Sequence, residues 1–165
     1  MNGLGIRTFN TVSMNSFGFS TPGFTFGIEI GNEASAPLAP ATSLATAGAE
    51  LILNPSAIGE TAGYNTALRQ TIMAQSSRLK CGYLHANSGW GESTSKVSYS
   101  GYACIAECGC IIADAERFQT TSHITISEID IEKIRKERIK DTSFAYHSDT
   151  PYIYIGQRSS DSTEL

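Results

Sequence analysis

Few residues in this chain of 165 are of types that do covalent or acid–base chemistry, and their placement narrows the field further. Residues 24–33, FTFGIEIGNE, alternate Phe24, Phe26, Ile28 and Ile30 with Thr25, Gly27 and Glu29, the period-2 pattern of a half-buried strand. That strand ends on Gly31, Asn32 and Glu33, and the carboxyl ends of strands are where α/β proteins display reactive groups. Glu29 reads as polar support within the strand rather than as a general base. A second polar cluster, NSGWGEST at 87–94, contains Glu92, Ser93 and Thr94. Within it, Trp90 reads as a cover for the loop's own backbone, with the rim of a pocket as the alternative. His85 falls on a strand and reads as a structural histidine, and His123 and His147 have no recognisable partners.

The thiols are Cys81, Cys104, Cys108 and Cys110. C-x3-C-x-C at 104–110 has no histidine beside it and is not a zinc-knuckle spacing, so no metal or other cofactor is expected. Glu107, Cys108, Gly109 and Cys110 read instead as a tight hairpin turn, with Gly109 supplying a positive φ. Reduced structural cysteines are the expectation. Cys81 starts a strand, away from carboxyl-end chemistry, so it is a poor substitute nucleophile.

The elements that must position these groups follow from the pattern. Residues 1–23, rich in Gly, Ser, Thr and Asn, read as an irregular lead-in. Small apolar residues at 41–49 suggest a helix packed closely on a sheet. Residues 50–53 suggest a buried strand ending at Asn54, Pro55 and Ser56. From 65 to 80 the period becomes helical, with Leu68, Ile72 and Leu79 on one face and Met73 beside them. Strands are expected at 81–86, 102–107, 110–113 and 123–130, the last alternating Ile124 and Ile126 with Thr125 and Ser127. Asp130 can cap a helix at 131–140, where Glu132 and Lys136 are spaced i,i+4 and the charges form a solvated face. The tail, 145–165, is polar apart from Tyr152, Ile153, Tyr154 and Ile155. Strands alternating with helices predict an α/β chain, a mixed sheet with helices on one side.

An apolar fraction of 41% suffices for a core, and a net charge of −4 argues against nucleic acid or an anionic membrane as partner. No apolar run approaches the roughly 20 residues of a membrane span. The first residues lack the form of a signal peptide, so the cytoplasm is the expected compartment.

Four blocks in order resemble the carbon–nitrogen hydrolase (nitrilase) superfamily, and within it the glutaminase domain of glutamine-dependent NAD synthetases. GIEIGNE at 27–33 is similar to that family's G-V-E-I-C-E-D, and GAELILNPSA at 48–57 to A-G-A-x-x-I-x-N-L-S-A. QSSR at 75–78, running through Gly82 and Tyr83 to GESTS at 91–95, resembles Q-S-A-R…Y-x-Y-A-S-A-G-x-G-E-S-T-T. ADAERF at 113–118, ISEID at 126–130, Arg135 to Arg138 and TSF at 142–144 complete the likeness.

The resemblance implies part of an αββα sandwich over residues 24–144, lacking amino-terminal strands and helices. It also implies a chemistry in which Cys is the nucleophile, Glu the base and Lys the oxyanion partner, supplying ammonia from glutamine to NAD biosynthesis. On this sequence the nucleophile position is Gly31. Asn32 keeps a backbone N–H at the oxyanion position, while Lys96 replaces the Asp that follows the G-E-S-T block. Ile58 and Tyr64 stand where the family holds glutamine with a Ser and a basic residue. Glu92, Ser93 and Thr94 keep the family loop, and neither the upstream Glu and Lys nor an S-G-G-x-D-S ATP loop is found. The expectation is a truncated domain with weakened glutamine binding and no hydrolysis. The alternative is a non-catalytic assembly module that pairs with itself or with a synthetase.

Overall fold

The structure, a computed structural model, describes residues 5–9, 17–20, 23–144 and 152–155, the three outlying segments as backbone strands. Eight strands form one sheet in the order β7-β6-β5-β4-β3-β2-β1-β8. They are β1 (Gly5–Phe9), β2 (Phe17–Ser20), β3 (Thr25–Ile28), β4 (Leu51–Ser56), β5 (Gly82–Asn87), β6 (Ala103–Glu107), β7 (Cys110–Asp114) and β8 (Tyr152–Ile155). β3, β4 and β5 are parallel, and every other neighbour pair is antiparallel. Helices α1 (Pro40–Thr46) and α2 (Tyr64–Leu79) make the parallel crossovers. This is the α/β arrangement expected, one helix-covered sheet of the four-layer sandwich.

The core lies between that sheet and the two helices. Gly27, Ile52, Tyr83 and Ala106 stand in one cross-strand row, and Leu44 of α1 and Ile72 of α2 are buried with Ile52, Tyr83 and Ala106. Gly27 permits this. A Cβ there would lie 2.8 and 2.9 Å from the two δ-carbons of Leu44, so α1 approaches the strand at a distance only glycine allows. On the opposite face Ile28, Leu53, Leu84 and Ile105 form the neighbouring row. Residues 115–130 run back across that face until Ile129 meets Gly82 and Leu51.

The helix α3 (Ile131–Lys140) then sits at the amino-terminal ends of β4 and β5. Asp130 caps it, accepting from Lys133 N–H at 2.9 Å. Its Arg138 is 3% exposed and donates to the carbonyls of Ala49, Leu79 and Lys80, so the helix is not merely a solvated charged face. Glu132 pairs with Arg135 rather than with Lys136. No helix among the described residues is long and apolar enough to cross a membrane.

Three expectations need correction. The lead-in is not irregular throughout, because 5–9 and 17–20 pair as strands beside β3. Residues 123–130 form no strand and join no ladder of the sheet; Asp130 N–H donates to the Glu107 carboxylate of β6 at 2.9 Å, and Ile124 and Ile126 face outward at 85% and 81% exposure. The strand expected at 50–53 continues to Ser56, because Asn54 is a buried ladder residue and not a loop residue. The hairpin at 107–110 forms as expected, with Cys108 and Gly109 both at positive φ.

Candidate functional site

The carboxyl ends of β3, β4 and β5 converge on one hydrogen-bonded cluster. After β3 the chain turns at Gly31, at φ +62°, into a short 3-10 turn, Gly31–Ser35. A Cβ at Gly31 would meet nothing within 4 Å, so the position opens outward. The turn is closed by Glu33, whose carboxylate accepts from the Ile30 N–H at 2.8 Å. Asn32 is exposed beside Gly31.

Asn54 holds this elbow from below. Its Nδ2 donates to the carbonyls of Gly31 (3.1 Å) and Glu29 (3.3 Å), and Ser56 Oγ reaches the same Gly31 carbonyl at 3.4 Å. Asn54 Oδ1 in turn accepts from Ser56 Oγ at 3.0 Å and lies 2.7 Å from His85 Nδ1. The sequence blocks around Gly31 and Asn54 are thus two halves of one clamp.

Glu29 lies in the same layer and is fully buried. It accepts from Tyr83 Oη and from the Ala41 N–H at 2.9 Å, tying β3 to β5 and to the start of α1. Burial pushes its carboxyl above the ordinary range, and the two donors act in the opposite direction. No Lys or Arg among the described residues hydrogen-bonds to residues 29–35. Glu29 is therefore support for the elbow.

The other family positions are built differently. Asn87 clasps Ile58 from both sides, accepting from its N–H at 2.9 Å and donating to its carbonyl at 2.8 Å. Ile58 is thereby fixed with an apolar side chain where a donor is expected. Tyr64 opens α2 and packs against the core, with burial raising its hydroxyl pKa. Ser93 Oγ accepts from Tyr99 N–H and Thr94 Oγ1 from Val97 N–H, so both shape their own turn. Glu92 and Trp90 line a groove of about 830 Å³ between the Ile28–Leu53–Leu84–Ile105 row and residues 119–125. Trp90 therefore rims a pocket, contrary to the preferred reading, and is 50% exposed. His123 borders the same groove, and His147 lies outside the described residues.

One arrangement had no sequence signal. Cys104 stands directly across from His85, whose other side meets Asn54. Cysteine, histidine and asparagine in that order are a nucleophile set in outline. Here they are buried at 1%, 3% and 1% exposure beneath α2, and burial pushes the Cys104 thiol up to about 11. Cys81, at the opposite end of β5, is pushed up by burial to about 12. Neither is a thiolate at neutral pH.

No family model matches the chain. It is 32% identical over 123 residues to the glutamine-dependent NAD(+) synthetase of Mycobacterium tuberculosis strain H37Rv, and 32% over 124 residues to that of Mycobacterium leprae. These matches cover 74% of this chain and 18% of the relatives, so it spans under a fifth of their length. A Saccharomyces cerevisiae protein of branch 10 of the nitrilase superfamily superposes with a TM-score of 0.66 at 19% identity, over 81% of this chain and 47% of that one. A carbon–nitrogen hydrolase of Helicobacter pylori G27 gives 0.64 at 19% identity, over 78% and 48%. The fold is of the nitrilase type, and the homologues are glutamine-dependent NAD synthetases.

Proposed function

We propose, for a chain with the nitrilase-type fold and with homologues among glutamine-dependent NAD synthetases, that it is a glutaminase-type domain that does not hydrolyse glutamine. The observation that carries this reading is Gly31. The elbow that would present a nucleophile is formed and clamped, yet its residue has no side chain. Acyl transfer from an amide needs a group that attacks the carbonyl carbon and a base to take its proton. Gly31 offers only backbone, and Glu29, the nearest buried carboxyl, is fully engaged with Tyr83 and Ala41. Ile58 and Tyr64 further remove the donor and the cation that would hold glutamine's polar ends. The proposed setting is the cytoplasm.

Ammonia release from glutamine by the purified chain tests this. Loss of a covalent nucleophile removes roughly 10⁴- to 10⁶-fold of rate, so release is expected at background. Turnover that disappears in Cys81→Ala would overturn the reading and restore that thiol as a substitute.

One observation favours a second reading, an assembly module that pairs with itself or with a synthetase. Among the described residues, the Ile28–Leu53–Leu84–Ile105 face is covered by the segment 119–125, and Ile124 and Ile126 point outward. Exposed apolar surface of this kind supports association.

A further inference from the structure

The clamp beneath Gly31 fixes the chemical state of His85. Asn54 Nδ2 lies against two carbonyl oxygens, those of Glu29 and Gly31, which can only accept. The amide group is therefore oriented with Oδ1 toward Ser56 and His85. An amide oxygen can only accept, so the imidazole nitrogen 2.7 Å away must donate, and His85 is the neutral Nδ1–H tautomer. Its Nε2 is then a lone-pair acceptor, buried and without a partner among the described residues.

We propose that His85 is an acid-released latch on this elbow: neutral, it holds Asn54 and through it the Gly31 carbonyl, and a proton on its second nitrogen releases that hold. The proton adds to the Nε2 lone pair and creates a buried cation carrying an unpaired N–H. That state is relieved when the ring leaves its pocket for water, which takes the donor away from Asn54. Asn54 Oδ1 keeps Ser56, while the contact that braces the amide from β5 is lost. This device does not depend on whether glutamine is hydrolysed.

The titratable groups around the ring do not supply a counter-ion. Glu29, just past β3, is engaged by Tyr83 of β5 and by Ala41. On the β6 side the neighbours are the Tyr102 ring, 6.3 Å from the His85 ring between centroids, and the Cys104 thiol. From α2, Arg69 bonds to Tyr102 Oη and to Asp114 of β7. Burial accordingly lowers the His85 pKa from 6.5 to about 4.

The test uses the full chain, labelled with ¹⁵N. Long-range correlation of the His85 ring at pH 7 should show Nδ1 protonated and Nε2 bare. Amide exchange, corrected for the intrinsic rate, should then show roughly sevenfold less protection at pH 5 than at pH 6 for Ile30, Glu33 and Ser88. The factor follows from a midpoint near 4 when latched against 6.5 when released. Amides of Ile72 and Met73 in α2 should not follow. In His85→Phe the sevenfold change at those three sites should vanish. An Nε2–H tautomer at pH 7 would overturn the proposal. So would equal loss of protection in α2, or a sevenfold change that survives in His85→Phe. If that variant does not fold, the wild-type tautomer and the contrast between elbow and α2 decide.

Discussion

Restoring the missing atom is the most informative perturbation. Gly31→Cys places a thiol at an elbow where a Cβ meets no atom within 4 Å, so the side chain fits. The backbone is less accommodating. At φ +62° an L-residue gives up about 1–2 kcal/mol relative to glycine, which for a chain of this size lowers the Tm by on the order of 2–8 °C. The thiol itself should be ordinary. The charged group closing the turn is the Glu33 carboxylate, which disfavours a thiolate, and no Lys or Arg among the described residues hydrogen-bonds to residues 29–35. With a pKa of about 8.5, roughly 3% is thiolate at pH 7. Alkylation by iodoacetamide, followed by intact mass in a background where Cys110 is replaced by Ser, should be slow at pH 7. It should rise nearly tenfold from pH 7 to pH 8 and level off above about pH 9. Ammonia release from glutamine should stay at background. A thiol that titrates below pH 7, or turnover in this variant, would show an activating base or cation at the elbow and refute the reasoning.

Two further outcomes follow from the packing. Gly27→Ala puts a Cβ within 3.0 Å of three atoms of the fully buried Leu44, and overpacking of this kind should cost about 1–3 kcal/mol in urea unfolding; unchanged stability would mean that α1 is free to shift. If the open sheet face drives assembly, light scattering should show dimers or larger species, and Ile124→Asp with Ile126→Asp should shift them toward monomer; a monodisperse wild-type monomer would remove the second reading.

Much of the scaffold was legible because it rests on local periodicity. Helix α2 falls within one residue of its expected ends, with Leu68, Ile72 and Leu79 buried as read, though Met73 is 39% exposed. The hairpin at 107–110 was legible from Gly109, and the elbow from the polar end of an alternating strand. What failed were inferences that depend on partners distant in sequence. Alternation at 123–130 suggested a strand that does not form, because a period-2 pattern carries no information on whether a partner strand is there to pair with, and here Ile124 and Ile126 face water. Pairing of 5–9 and 17–20 is decided by β3, not by their own composition. Asn54 looked like the end of a strand because buried polar residues are uncommon there. It is tolerated because both its side-chain polar atoms are bonded, to the Glu29 and Gly31 carbonyls that follow β3, to Ser56 and to His85 of β5. Likewise Arg138 looked like one charge on a solvated face, until three carbonyls at the ends of α2 and before β4 engage it.

The central claim is that the elbow is formed but carries no nucleophile, and covalent trapping tests it most directly. An electrophilic glutamine analogue that alkylates active-site thiols should leave the intact mass of the wild-type chain unchanged at pH 7 over hours. A single stoichiometric adduct at neutral pH, blocked by excess glutamine and mapping to any residue of the chain, would contradict the account.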